Sequence, residues 1–112
     1  MYNDEEIMEF VSLVAEVSDP DRIILFGSYA YGEPDDKSDL DLLVIKNGND
    51  FSLDDEAKLA TDVFYKRRQL GIRTRYDVFF QTDRQVQEIA AKGGAFVDAL
   101  QKGRIVYERD YQ

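Results

Sequence analysis

Two aliphatic runs stand too close together to be joined by a full crossover helix. Arg22–Phe26 (RIILF) reads as a short strand rich in β-branched and aromatic residues, and Asp39–Ile45 (DLDLLVI) reads as a second. Only twelve residues separate Phe26 from Asp39, with Gly32 and Pro34 among them. That length suits a short helical turn and a loop, so the two strands are predicted to be antiparallel. The first run ends directly at Gly27-Ser28 and the second opens on Asp39 and Asp41. An antiparallel pair therefore brings all four residues to one edge of the sheet.

The rest of the chain alternates helical and strand periodicities. Asn3 with Glu6 forms a capping pair, followed by a helical stripe of Ile7, Phe10, Val11, Val14 and Val17 that stops at Asp19-Pro20. Asn47-Gly48 begins a turn. Ser52 with Asp55 opens a helix carrying Leu59, Val63 and Leu70, which ends at Gly71. Thr74–Phe80 is predicted as a third strand. Thr82 with Gln85 starts a helix through Val86, Ile89 and Ala90, interrupted at Gly93-Gly94. A shorter helix through Phe96 and Leu100 ends at Gly103, and Arg104–Tyr107 is a fourth strand. The pattern is α-β-turn-β-α-β-α-β: an α/β fold with a small mixed β-sheet flanked by helices, read as one domain over residues 1–112. The long helix between the second and third strands predicts a right-handed parallel βαβ unit, which adds the start of the third strand, and with it Asp77, to the same edge.

Composition narrows the chemistry. The 112 residues include no cysteine and no histidine, which removes disulfides, thiolate metal sites, a cysteine nucleophile and the commonest general base. Carboxylates are left as the main candidate metal ligands. The net charge of −9 opposes strong, unspecific binding to a nucleic-acid backbone. Lys66, Arg67, Arg68, Arg73 and Arg75 form a local basic cluster that reads either as a solvated helix end or as a contact for a phosphorylated ligand or acidic partner. No stretch approaches the length of a membrane span, and the acidic start MYNDEEIMEF lacks a signal peptide's basic and apolar segments, so a cytoplasmic location is expected.

Asp39 and Asp41 project from one face of their strand, while Leu40, Leu42 and Val44 project from the other. Asp77 can supply a third carboxylate from the neighbouring strand. Two such charges about 4 Å apart cost on the order of 4 kcal/mol at an effective dielectric near 20, so three together point to a cation. Oxygen-only ligands suit Mg²⁺ or Mn²⁺. Gly27 lets the backbone turn tightly and approach a ligand, and Ser28 starts a helical turn whose N–H groups and hydroxyl suit phosphate oxygens. Each feature alone has a plainer reading: Gly27-Ser28 as a turn; Asp35, Asp36 and Asp39 as a solvated acidic loop, the reading adopted for Asp35 and Asp36; Asp77 as the ion-pair partner of Arg75. Their convergence at one edge is what phosphoryl or nucleotidyl transfer requires.

The spacing Gly27-Ser28, ten residues, Asp39-x-Asp41 matches the signature of the DNA polymerase β-type nucleotidyltransferase superfamily. In detail, Phe26–Gly32 (FGSYAYG) and Ser38–Val44 (SDLDLLV) resemble the minimal nucleotidyltransferases, or MNT proteins. The resemblance implies that Asp39, Asp41 and Asp77 are the catalytic, metal-binding acids. It also implies that Gly27 and Ser28 hold the β- and γ-phosphates of a nucleoside triphosphate. Tyr31 stands where relatives often carry arginine, which removes a cation from the phosphate side. Minimal nucleotidyltransferases are typically encoded with HEPN-domain toxins, and the resemblance implies an antitoxin that transfers AMP from ATP, with Mg²⁺, to a hydroxyl of such a partner. Two alternatives stand beside it: occlusion of the partner without catalysis, and transfer to a small hydroxylated molecule. The nucleotidyltransferase core uses up the 112 residues, so the acceptor is expected on another chain or in a cleft made by a homo-oligomer.

Overall fold

The computed structural model describes residues 1–110. In chain order the elements are α1 (Asp4–Ser18), β1 (Arg22–Phe26), α2 (Ser28–Tyr31), β2 (Leu40–Ile45), α3 (Leu53–Gln69), β3 (Tyr76–Gln81), α4 (Asp83–Ala90), α5 (Ala95–Lys102) and β4 (Arg104–Glu108).

Three helices start at reciprocal caps that were legible as residue pairs. The Asn3 side chain accepts from the Glu6 backbone N–H at 2.8 Å, while the Glu6 carboxylate accepts from the Asn3 N–H at 3.2 Å. Ser52 with Asp55 and Thr82 with Gln85 repeat the arrangement at α3 and α4. Each satisfies two backbone donors that the helix cannot pair itself. At the other end of α1, Asp19 adopts the left-handed conformation (φ 47°) and donates its N–H to Ala15. Pro20 then prevents further helix.

The sheet has the order β3-β2-β1-β4. β1 pairs antiparallel with β2, running from Arg22 opposite Ile45 to Phe26 opposite Asp41. β2 pairs in parallel with β3 across α3, with Asp41 opposite Asp77. β4 closes the other side, antiparallel to β1. Strand alternation divides the core in two. Ile23, Leu25, Leu40, Leu42, Val44 and Phe80 pack beneath α1 and Val63 of α3. Ile24, Phe26, Leu43 and Ile45 pack against Val86 of α4 and Phe96 and Ala99 of α5. Fully burying each large aliphatic side chain contributes about 1.5–3 kcal/mol, so the sheet is held from both faces.

Two residues assigned to apolar stripes lie outward. Leu70 is 53% and Ile89 41% exposed. Leu70 is the C-cap of α3 rather than part of its core-facing side, and Val63 is the buried residue of that helix. β2 begins at Leu40 and β3 at Tyr76, so Asp39 and Arg75 each lie one residue ahead of their strands.

The caps should carry measurable stability. Thr82 is 2% exposed, and its hydroxyl accepts from the Gln85 N–H while donating to Asp50 at 2.7 Å. Thr82→Ala should cost about 1–2 kcal/mol in urea denaturation, and Thr82→Ser should recover most of it. Equal midpoints for Thr82→Ala and the wild type would show that the cap contributes nothing.

Candidate active site

The site is assembled where β1 ends and where β2 and β3 begin. Gly27 leaves β1 with φ 72° and ψ −154°, a conformation that side-chain-bearing residues rarely adopt. A Cβ at this position would lie 2.1 Å from Asp41 Oδ2. Glycine is therefore required by its dihedral angles, and any larger residue would also push the Asp41 carboxylate from its seat against the backbone. Ser28 follows at once as the first residue of α2, whose Gly27 N-cap position carries no side-chain hydrogen bond. Gly32 ends this short turn, where a Cβ would meet the Ser28 Cα at 2.8 Å.

Asp41 sits between two strands, opposite Phe26 on β1 and opposite Asp77 on β3. Asp39, Asp41 and Asp77 share the sheet face that carries Leu43, Phe79 and Phe26. Burial holds the Asp41 carboxyl above the ordinary carboxylate range, and the negative charges of Asp77 and Asp39 push it further in the same direction. Asp77 is exposed. The expected convergence of Gly27, Ser28, Asp39, Asp41 and Asp77 at one edge is what the fold produces.

The plainer alternative for Asp77, an ion pair with Arg75, is not what forms: Arg75 pairs with Asp39, Nε to Oδ1 at 3.1 Å. Both side chains are close to half exposed, so the pair is worth at most about 1 kcal/mol. Arg75 Nη2 also reaches the Asp36 carbonyl at 3.5 Å. Among the described residues, no three acids form a ready cation cage. The donor chemistry nevertheless fits a hard divalent ion: Asp41 and Asp77 are paired in register, only oxygen ligands are offered, and Asp41 is a carboxylate whose charge is poorly compensated. A cation at Asp41 and Asp77 would gain Asp39 as a third ligand by displacing Arg75 from a weak, solvated pair.

Sequence reasoning missed a clasp behind the site. Tyr2 stacks on Tyr29, with ring centroids 5.8 Å apart. The Tyr2 N–H donates to the Tyr29 hydroxyl at 3.1 Å, and the Tyr2 hydroxyl accepts from the Arg75 N–H at 2.8 Å. The N-terminal tyrosine thus ties α2, beside Gly27, to the entrance of β3, beside Asp77. Nothing local in the sequence signals a contact between residues 73 positions apart. Phe79, two residues beyond Asp77, is 41% exposed and joins Phe26 and Phe96 in an aromatic cluster below the acids.

Comparison with known proteins adds independent findings. A family model described as polymerase beta nucleotidyltransferase matches residues 9–112. No curated protein matches in sequence. A crystal structure provisionally described as a nucleotidyltransferase from Sulfolobus solfataricus is similar in fold, with a TM-score of 0.63 at 19% identity, covering 94% of this chain and 79% of that one.

The crowded acids should cost stability when no cation is bound. Because the folded-state pKa of Asp41 is raised, its ionised form opposes folding at neutral pH, and that penalty fades as pH falls through the raised value. Asp41→Asn should therefore stabilise the metal-free protein by about 1 kcal/mol at neutral pH, the size of one partly solvated repulsion, and by less in acid. Thermal melts in chelator across pH test this; a destabilised variant at neutral pH would refute it.

Proposed function

The chain belongs to the polymerase beta nucleotidyltransferase family, and from that premise we propose that it is a Mg²⁺-dependent nucleotidyltransferase that moves AMP from ATP to a hydroxyl on a HEPN-type partner, as an antitoxin in the cytoplasm. The observation that carries the reading is the seating of Asp41 against the Gly27 backbone with Asp77 in register beside it. In this reading the Gly27-Ser28 turn binds phosphate next to these carboxylates.

In this mechanism Gly27 and Ser28 hold the β- and γ-phosphates of ATP, leaving the α-phosphorus near Asp39, Asp41 and Asp77. Asp39, Asp41 and Asp77 would hold Mg²⁺, which would neutralise the phosphate charge and support departure of pyrophosphate. Asp77, exposed at the edge, orients the acceptor hydroxyl and accepts its proton. The acceptor oxygen bonds to the α-phosphorus as the bond to the bridging oxygen of pyrophosphate breaks. Arg75, released from Asp39, remains beside the acids as a counter-charge to the triphosphate. Gly27 excludes any side chain from the space between the phosphates and Asp41.

The supporting observations are the family match and this geometry; the nucleotide and acceptor come from the resemblance to minimal nucleotidyltransferases. A second reading, binding and occlusion of the partner without catalysis, draws on the Arg75–Asp39 pair, which leaves one of the three acids engaged within the chain. Transfer to a small hydroxylated molecule has no comparable support in the geometry.

ATP labelled at the α- or the γ-phosphate separates these readings, with Mg²⁺ and lysate from the source cells. Label from the α-position alone should appear on a defined protein and fall at least a hundredfold with Asp41→Asn. Label from the γ-position would mean phosphoryl transfer and defeat the proposal. Partner neutralisation that survives Asp39→Asn and Asp41→Asn, with no label moved, would establish occlusion.

A further inference from the structure

α3 carries a second apolar seam that the core does not use. Its inward side is marked by the buried Val63. One residue around, Leu53, Ala57, Ala60 and Phe64 recur at alternating spacings of four and three, the spacing of a helix-pairing seam. All four are exposed, Leu53 at 84% and Phe64 at 44%. A one-residue step turns about 100° around a helix, so this seam faces sideways, beyond the sheet edge. There Leu53, Ala57 and Ala60 line an open groove of about 290 Å³ with Val78 and Phe80 of β3.

β3 is itself unfinished. It is the terminal strand of the sheet, and among the described residues it pairs with β2 alone. Every second residue of such a strand directs its N–H and C=O outward. Its sequence, YDVFFQ, contains no lysine or proline, residues that commonly block strand edges. The seam and the free edge form one continuous surface.

We infer that this surface is an isologous interface with a second copy of the same chain. A two-fold axis perpendicular to the sheet beside β3 makes both pairings together: β3 meets its copy antiparallel, and on the same sheet face α3 meets its copy antiparallel. The small Ala57 and Ala60 lie mid-seam, where two helices must approach most closely, and Leu53 and Phe64 lie at its ends. Charge supports a copy as the occupant. The first turn of α3 is acidic (Asp54, Asp55, Glu56) and its last turn basic (Lys66, Arg67, Arg68). Lys66 and Arg67 are held within the chain by Glu16 and the Thr74 carbonyl, but antiparallel pairing sets the exposed Arg68 of each copy toward the acidic first turn of the other, offsetting part of the repulsion between two chains of net charge −9. The four-stranded sheet becomes a continuous one of twice the width, with Asp77 of each copy on the same face on either side of the axis.

This inference does not depend on the transfer chemistry. Sedimentation equilibrium of the full chain should show a dimer. Ala60→Glu, an exposed position, should weaken it at least tenfold with an unchanged circular dichroism spectrum, whereas Gln101→Glu on α5 should leave it as it is. The chain lacks cysteine, so single cysteines give a second, positional readout. A short bismaleimide should join Ala60→Cys chains in pairs and leave Gln101→Cys chains unjoined. A monomer throughout the micromolar range, a dimer indifferent to Ala60→Glu, or equal cross-linking at both positions would overturn the inference. If a different helical protein covers the seam of an otherwise monomeric chain, the inference is equally overturned. None of these substitutions touches Gly27, Ser28, Asp39, Asp41 or Asp77, so AMP transfer measured on the same variants is judged separately.

Discussion

Much of the structure depends on the antiparallel pairing of β1 with β2, which ends with Phe26 opposite Asp41. This register lets Gly27 leave the sheet directly against the Asp41 carboxylate. A slip of one residue would turn Asp41 into the α1/α3 core and move Leu40 and Leu42 out of it to the opposite face, because side chains alternate between faces. Burying an unpaired carboxylate there would cost several kcal/mol. Core packing therefore determines the position of the acid. The apolar residues of β2 place Asp41 at the sheet edge as a consequence of placing themselves in the interior.

The electrostatics run against stability at that position. Asp41 is penalised by partial burial and by its two acidic neighbours, while the buried sheet around it supplies the free energy that tolerates the penalty. Arg75 relieves Asp39 only, through a pair exposed enough to be exchanged for another partner. The proposed ligand site rests on a glycine-specific turn at Gly27, a poorly compensated carboxylate at Asp41 and a weak, solvated Arg75–Asp39 pair. The Tyr2–Tyr29 stack and the Tyr2–Arg75 hydrogen bond hold its two halves together from outside the sheet.

Local signals were readable where their physics is local. The three caps, the left-handed stop at Asp19 and the strand cores of β1 and β2 each depend on residues within a few positions of one another. Leu70 and Ile89 were misplaced because apolar residues at helical spacing do not reveal which side of a helix the sheet will cover. For the same reason the Leu53–Phe64 seam escaped notice: it is visible as a surface only once Val63 has been assigned to the interior. A pair between Arg75 and Asp77 was the plainer alternative, from i, i+2 proximity along a strand. The partner is Asp39, one residue ahead of β2, and Arg75 meets it from one residue ahead of β3.

The sequence by itself determined the α/β class, the antiparallel and parallel pairings, and the meeting of Gly27, Ser28, Asp39, Asp41 and Asp77 at one edge. Short loop lengths and side-chain alternation leave the chain few other ways to bury its aliphatic runs. Only the tertiary structure decided the contact between Asp41 and Gly27, the partner of Arg75, the clasp made by Tyr2, and the apolar surface left uncovered beside β3. Each of these joins segments far apart in the chain, and their contacts are set by how the helices settle on the sheet rather than by neighbouring residues.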